Sequence, residues 1–169
     1  MELVVATGNA GKLREIRRRL EGVDIEVLGM DVFVDLPEII EDGATFAANA
    51  AKKAQTIAAA TGRMTLADDS GLEVDALDGA PGIYSARFAG PGCNDQDNNN
   101  KLLESLRDVP EAERSARFQC LLVYMRHADD PTPIICQGTW EGVIMQQPQG
   151  DNGFGYDPLF FVPGQGCTS

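Results

Sequence analysis

Residues 2–6 (Glu-Leu-Val-Val-Ala) form an apolar run that predicts a buried first strand, and Leu13, Ile16 and Leu20 recur at the spacing of a helix face. Residues 23–28 (Val-Asp-Ile-Glu-Val-Leu) alternate as a strand does. Residues 45–60 are the strongest helical stretch. Their alanine content favours helix, and Phe46, Ala50 and Ile57 supply an apolar stripe. Met64-Thr65-Leu66-Ala67 predicts a buried strand that ends at Asp68-Asp69-Ser70-Gly71. Residues 95–107 predict a further helix with Leu102, Leu103 and Leu106 inside. Residues 115–126 and 132–145 predict long antiparallel strands, with Phe118, Cys120, Leu122, Tyr124, Ile134, Cys136 and Trp140 facing the core. The order β, α, β, α, β and then mostly antiparallel strand predicts a mixed α/β fold, an elongated central sheet flanked by helices. No repeat, low-complexity tract or linker divides it, so residues 1–169 are expected to form one domain.

Composition narrows the function classes. The chain is 43% hydrophobic and 24% charged, ordinary for a globular protein. No run of about 18 apolar residues predicts a membrane span, and Met1-Glu2-Leu3 lacks the basic start of a signal peptide. Cytoplasm is the expected compartment. The net charge of −12 argues against a nucleic acid polymer or an anionic membrane as partner. A small anion needs only a local cluster of cations and amides. The four cysteines form no C-x-x-C pair and His127 is the only histidine, so zinc is not expected. Cys120 and Cys136 read as small core residues.

Three stretches carry candidate chemistry. Thr7-Gly8-Asn9-Ala10-Gly11-Lys12 lies between a strand and a helix, an anion-binding layout in which helix N–H groups and Lys12 face a phosphate. It matches neither the P-loop nor the dinucleotide fingerprint. Asp68 and Asp69 are adjacent carboxylates that need a cation beside them; a hard divalent metal such as Mg²⁺ is the natural partner, and a plain turn is the alternative. Gly153-Phe154-Gly155-Tyr156-Asp157 sets a ring between glycines, which suits base stacking or an aromatic turn under the sheet. Asn49 and Lys53 share a helix face, and a solvated lysine is the plainer reading of Lys53.

Taken in order, these segments resemble the inosine triphosphate pyrophosphatase family, closest to its bacterial dITP/XTP members. The carrying residues are Ala6–Lys12, Glu41-Asp42-Gly43 with Thr45-Phe46, Asn49-Ala50, Lys53-Ala54, Ala67–Leu72, Pro81–Arg87, Ala116-Arg117-Phe118 and Gly153–Pro158. The resemblance implies an active-site cleft between two lobes and a homodimer. It implies Mg²⁺-dependent hydrolysis of deaminated purine triphosphates (dITP, ITP, XTP) to monophosphate and pyrophosphate. Thr7, Gly8, Asn9, Ala10, Gly11 and Lys12 would then hold the phosphates. Glu41, Asp68 and Asp69 would hold the metal, with Asp69 the general base, a weak one if the metal lowers its pKa. Lys53 would face the phosphates, Ser70 would touch the substrate, and Phe154, Gly155, Tyr156 and Asp157 would surround the nucleoside.

Two departures qualify the resemblance. The family usually carries a glutamate where Ala48 stands, which predicts weaker metal use or slower turnover. The chain stops at Cys167-Thr168-Ser169, before the family's final helix and its base-reading serine-histidine-arginine motif. A nucleotide-binding module with little or no turnover is therefore the alternative. A Mg²⁺ phosphatase acting on sugar phosphates is a third reading, disfavoured by the aromatic segment.

Overall fold

The computed structural model describes residues 1–150 and 153–169. The strands are β1 (Glu2–Ala6), β2 (Glu26–Gly29), β3 (Met64–Val74), β4 (Ser115–Met125), β5 (Ile134–Ile144), β6 (Phe160–Val162) and β7 (Cys167–Thr168). The helices are α1 (Ala10–Arg19), α2 (Phe46–Thr61) and α3 (Asp95–Ser105). The described strands form one mixed sheet in the order β2-β1-β3-β4-β5-β6-β7. β1 pairs parallel with β2 and β3, whereas β6 pairs antiparallel with β5 and β7. The mixed α/β expectation holds. Among the described residues no helix is long and apolar enough to cross a membrane.

The chain divides into two compact units, Met1–Asp69 with Leu121–Gln137, and Ser70–Cys120 with Gly138–Ser169. In the first, Val4 and Ala6 of β1 and Ala67 of β3 pack on Ala50, Ala54 and Ile57 of α2, with Leu121, Val123 and Met125. Alanines let the helix approach the strands closely, and Ile57 contributes about 2–3 kcal/mol by its burial. Thr45 caps α2 by accepting from Ala48 N, and Gly62 ends the helix at φ +66°, in the left-handed region.

The second unit has its own core of Leu72, Val74, Leu102, Leu106, Ile144, Leu159 and Phe160. Asn94 and Asp97 form a reciprocal capping box at the start of α3. At its other end the buried Arg114 guanidinium donates to the carbonyls of Leu106 (2.7 Å), Val109 (3.0 Å) and Met145 (3.4 Å). Those carbonyls satisfy a charge that would otherwise be costly to bury.

Three expectations need correction. β3 does not end at the carboxylates; it runs straight through Asp68-Asp69-Ser70-Gly71 to Val74. It is β1 that ends there, its last parallel partner being Ala67. β2 starts only at Glu26, with Val23 exposed. Of the core residues expected in the long strands, Cys120, Cys136, Ile134 and Trp140 are exposed, and the deep positions of β4 are Ala116, Leu121, Val123 and Met125. The reason is a change of parity. β3 and β4 each serve two cores, odd positions (Thr65, Ala67, Leu121, Val123) in the first unit and even ones (Leu72, Val74, Ala116) in the second. One alternation projected along a whole strand puts half of it on the wrong face.

Candidate functional site

In the first unit, β1 delivers the Thr7–Lys12 loop where its pairing with β3 ends, and the neighbouring β3 residues are Asp68 and Asp69. β1 is thus the parallel strand whose carboxyl end lies here, the place where open α/β sheets bind ligands. Asn9 caps α1, its side chain accepting from Gly11 N (2.8 Å) and Lys12 N (3.1 Å), while Asn9 N donates to Thr7 Oγ1 (3.2 Å). Two of the amides expected to face a phosphate are thus held by Asn9. What the loop retains for an anion is the positive helix end and the Lys12 ammonium. That ammonium forms an ion pair with the buried Asp68.

The buried face of α2 carries Asn49 and Lys53 among its alanines. Lys53 is therefore not a solvated lysine. Its Nζ donates to Asp69 Oδ1 (2.9 Å) and lies 3.2 Å from Glu41 Oε1. Burial works against the ammonium, but the hydrogen bond and charge of Asp69, with Glu41, outweigh it and hold its pKa above the ordinary lysine value. Asp69 is 7% exposed, and its carboxyl is pushed up, chiefly by burial. The Lys53 and Asn49 hydrogen bonds pull it the other way, and the Glu41 charge adds to the rise. Burial and the Glu41 charge outweigh those two bonds and leave the Asp69 carboxyl above the ordinary aspartate value.

Asn49 has a larger part than its sequence pattern suggests. Fully buried, it donates from Nδ2 to Asp69 Oδ2 (3.2 Å) and accepts from Gly43 N at Oδ1 (2.8 Å), tying the Glu41–Gly43 loop to the carboxylate. An asparagine on an otherwise apolar stripe is the available signal, since buried polar groups are hydrogen-bonded. Ala48 is the third residue of α2, exposed, with its N–H on Thr45 Oγ1 (3.1 Å). A glutamate there would complete a capping box with Thr45.

The donor set fits Mg²⁺. The Glu41 and Asp69 carboxylates are hard oxygen donors that meet on one ammonium. Among the described residues no three His, Cys, Asp or Glu side chains cluster as a metal cage. Mg²⁺ commonly takes only one or two carboxylates and completes its shell with water and substrate phosphate.

In the second unit, Ser70 is half-buried on β3. Phe154 is 37% exposed between Gly153 and Gly155, both at positive φ (+87° and +62°). A Cβ at Gly153 would come within 2.4 Å of Asp157 Oδ2, so close approach as well as φ demands glycine. Asp157 Oδ2 accepts from Phe154 N (2.9 Å). Tyr156 is buried in the core and its hydroxyl donates to Ser85 O (2.8 Å); burial pushes its pKa up. Its side chain is thus committed to packing. Ser85 is buried and bonded to backbone. Its Oγ accepts from Leu72 N (2.9 Å) and donates to Gly82 O (2.6 Å). Tyr84 is exposed under the Arg87 guanidinium, 5.2 Å from the ring centre. Helix α3 adds contacts that its sequence does not announce. Asn98 holds Ala89 N (2.8 Å) and Ala86 O (3.3 Å), and Asp95 and Asn99 both reach Gly155.

Known proteins are similar to this chain in sequence and fold. The Ham1 family model matches residues 3–169. A dITP/XTP pyrophosphatase of Vibrio cholerae is 56% identical over 168 residues, 99% of this chain and 84% of the relative. The Escherichia coli O157:H7 protein of the same name is 53% identical over 169 residues, 99% and 85%. A HAM1 protein structure from Coxiella burnetii superposes with a TM-score of 0.91 at 43% identity, over 99% of this chain and 85% of that one.

Proposed function

Because this chain belongs to the Ham1 family, we propose that it hydrolyses dITP, ITP and XTP to the monophosphate and pyrophosphate, clearing deaminated purines from the nucleotide pool. The observation that carries the chemistry is Asp69, buried and held at one oxygen by Lys53 and at the other by Asn49. Asp69 orients water and takes its proton as the bond between the α- and β-phosphates breaks. Lys12 and Lys53 counter the phosphate charge, and phosphoryl chemistry depends chiefly on such positioning and neutralisation. Asp69 and Glu41, with Asp68 close by in sequence, would hold Mg²⁺, whose contribution is to neutralise charge developing on the phosphates. Phe154 offers a ring to the base, and Ser70, Gly155 and Asp157 frame the nucleoside.

One further feature supports a finer point of this reading. The described cysteines are all free, which favours the reducing cytoplasm. The test is pyrophosphate release from dITP, XTP and dGTP with and without Mg²⁺, with Asp69→Asn as control. Metal-dependent release favouring dITP and XTP is expected, and orthophosphate as first product would refute the assigned bond. The binding-module reading draws on Ala48 and predicts a nucleotide-induced rise in Tm with no product.

A further inference from the structure

Resting on Phe154 as the platform for the base, we infer that Asp95 and Asn99 of α3 clamp the Gly155 backbone and so set the protein's affinity for the purine. The two residues are one turn apart, and side chains at i and i+4 project from the same helix face. Asp95 Oδ2 accepts from Gly155 N at 2.8 Å, and Asn99 Nδ2 donates to Gly155 O at 2.8 Å. Both backbone polar groups of one residue are thereby fixed to one helix. That residue follows Phe154 directly, and Asp157 holds the Phe154 N–H at 2.9 Å. The helix is itself anchored, by its capping box and by Leu102 in the core. A stacking ring whose backbone is ordered before the ligand arrives loses less freedom on binding.

Asn99 makes this contact against the interest of the core. It is 7% exposed, and its Oδ1 is buried with no hydrogen-bond partner. Buried acceptors are ordinarily satisfied, and an orphan one destabilises the fold that holds it. For packing alone an apolar side chain would serve better. The asparagine is explained by the bond it gives to Gly155, which makes Asn99 and Asp95 positioning residues.

The experiment compares Asn99→Leu, Asp95→Ala and Phe154→Ala with the unaltered protein by calorimetric titration of dIMP and, separately, inorganic tripolyphosphate. Melting temperature is recorded for each variant. Loss of stacking weakens nucleotide binding about tenfold. Asn99→Leu is expected to weaken dIMP to a similar degree, leave tripolyphosphate unchanged and hold or raise the melting temperature. Asp95→Ala is expected to weaken dIMP selectively as well. If Phe154→Ala weakens dIMP and Asn99→Leu does not, the clamp is overturned while the platform stands. If Asn99→Leu weakens both ligands alike, its role is structural and the clamp is again overturned. If Phe154→Ala leaves dIMP binding intact, the platform itself fails and the clamp with it.

Discussion

The two units solve the same problem, holding a functional group in place, with opposite materials. In the first unit the work is done by charge. Lys12 sits on Asp68, Lys53 on Asp69 and Glu41, and both aspartates are almost wholly buried. In the second it is done by backbone shape. Phe154 is flanked by two positive-φ glycines, and its loop is tied down by the Asn99 amide, the Asp95 and Asp157 carboxylates and the Tyr156 hydroxyl. The difference follows from what each end would meet. Phosphates and a proton acceptor need concentrated, partly desolvated charge, and buried charges must be paired to be tolerated. A planar base needs a π face and room to approach, which glycine and an aromatic supply without charge.

That contrast can be tested from its strongest side downwards. Asp69→Asn should lower turnover by about 10³-fold while far-ultraviolet circular dichroism stays unchanged; retained turnover would remove Asp69 from the chemistry. Lys12→Met should strip the ammonium from the buried Asp68 and cost about 3 kcal/mol, read as a lower urea midpoint. An unchanged midpoint would mean the pair is functional only. Gly153→Ala should act differently, because the new methyl strikes Asp157 and the backbone is at φ +87°. It should raise KM for dITP about tenfold, as a lost stacking contact does, with kcat nearly kept. A fall in kcat alone would break the division of labour.

Two smaller effects refine the contrast. Ala48→Glu completes a capping box with Thr45 and should stabilise the protein by about 0.5–1 kcal/mol. A gain in turnover without a gain in melting temperature would instead point to a carboxylate missing from the site. Asp75, in the second unit, is held down to a pKa of about 2 by hydrogen bonds from Arg117 and Ser115. A depressed carboxylate stabilises fully above its unfolded value, so this contribution is complete above about pH 4 and lost as pH falls through about 2. The pair is solvent-accessible, so Asp75→Asn should cost under about 1 kcal/mol at neutral pH. Thermal melts of both proteins from pH 6 to pH 2 should converge at the acid end.

Much of this organisation is legible in the amino-acid sequence. Alanine-rich α2 begins one residue inside its expected bounds, because propensity and the Thr45 cap agree. The acidic stretch, the first loop and the glycine-flanked ring stand out because each breaks an otherwise apolar or regular pattern. Asn49, Asp95 and Asn99 do not, because polar residues on a helix read as solvated until their partners are known.

The three long helices, the strands through β5 and the mixed α/β class therefore follow from the sequence alone, since these depend on local propensity and periodicity, whereas the short β6 and β7 do not. Three features came from long-range packing instead: β3 continues through its aspartates, Lys53 is buried on Asp69, and β3 and β4 change buried parity between two cores. Those outcomes rest on which surface covers each face of a strand. That is a property of contacts distant in sequence, and no local pattern encodes it.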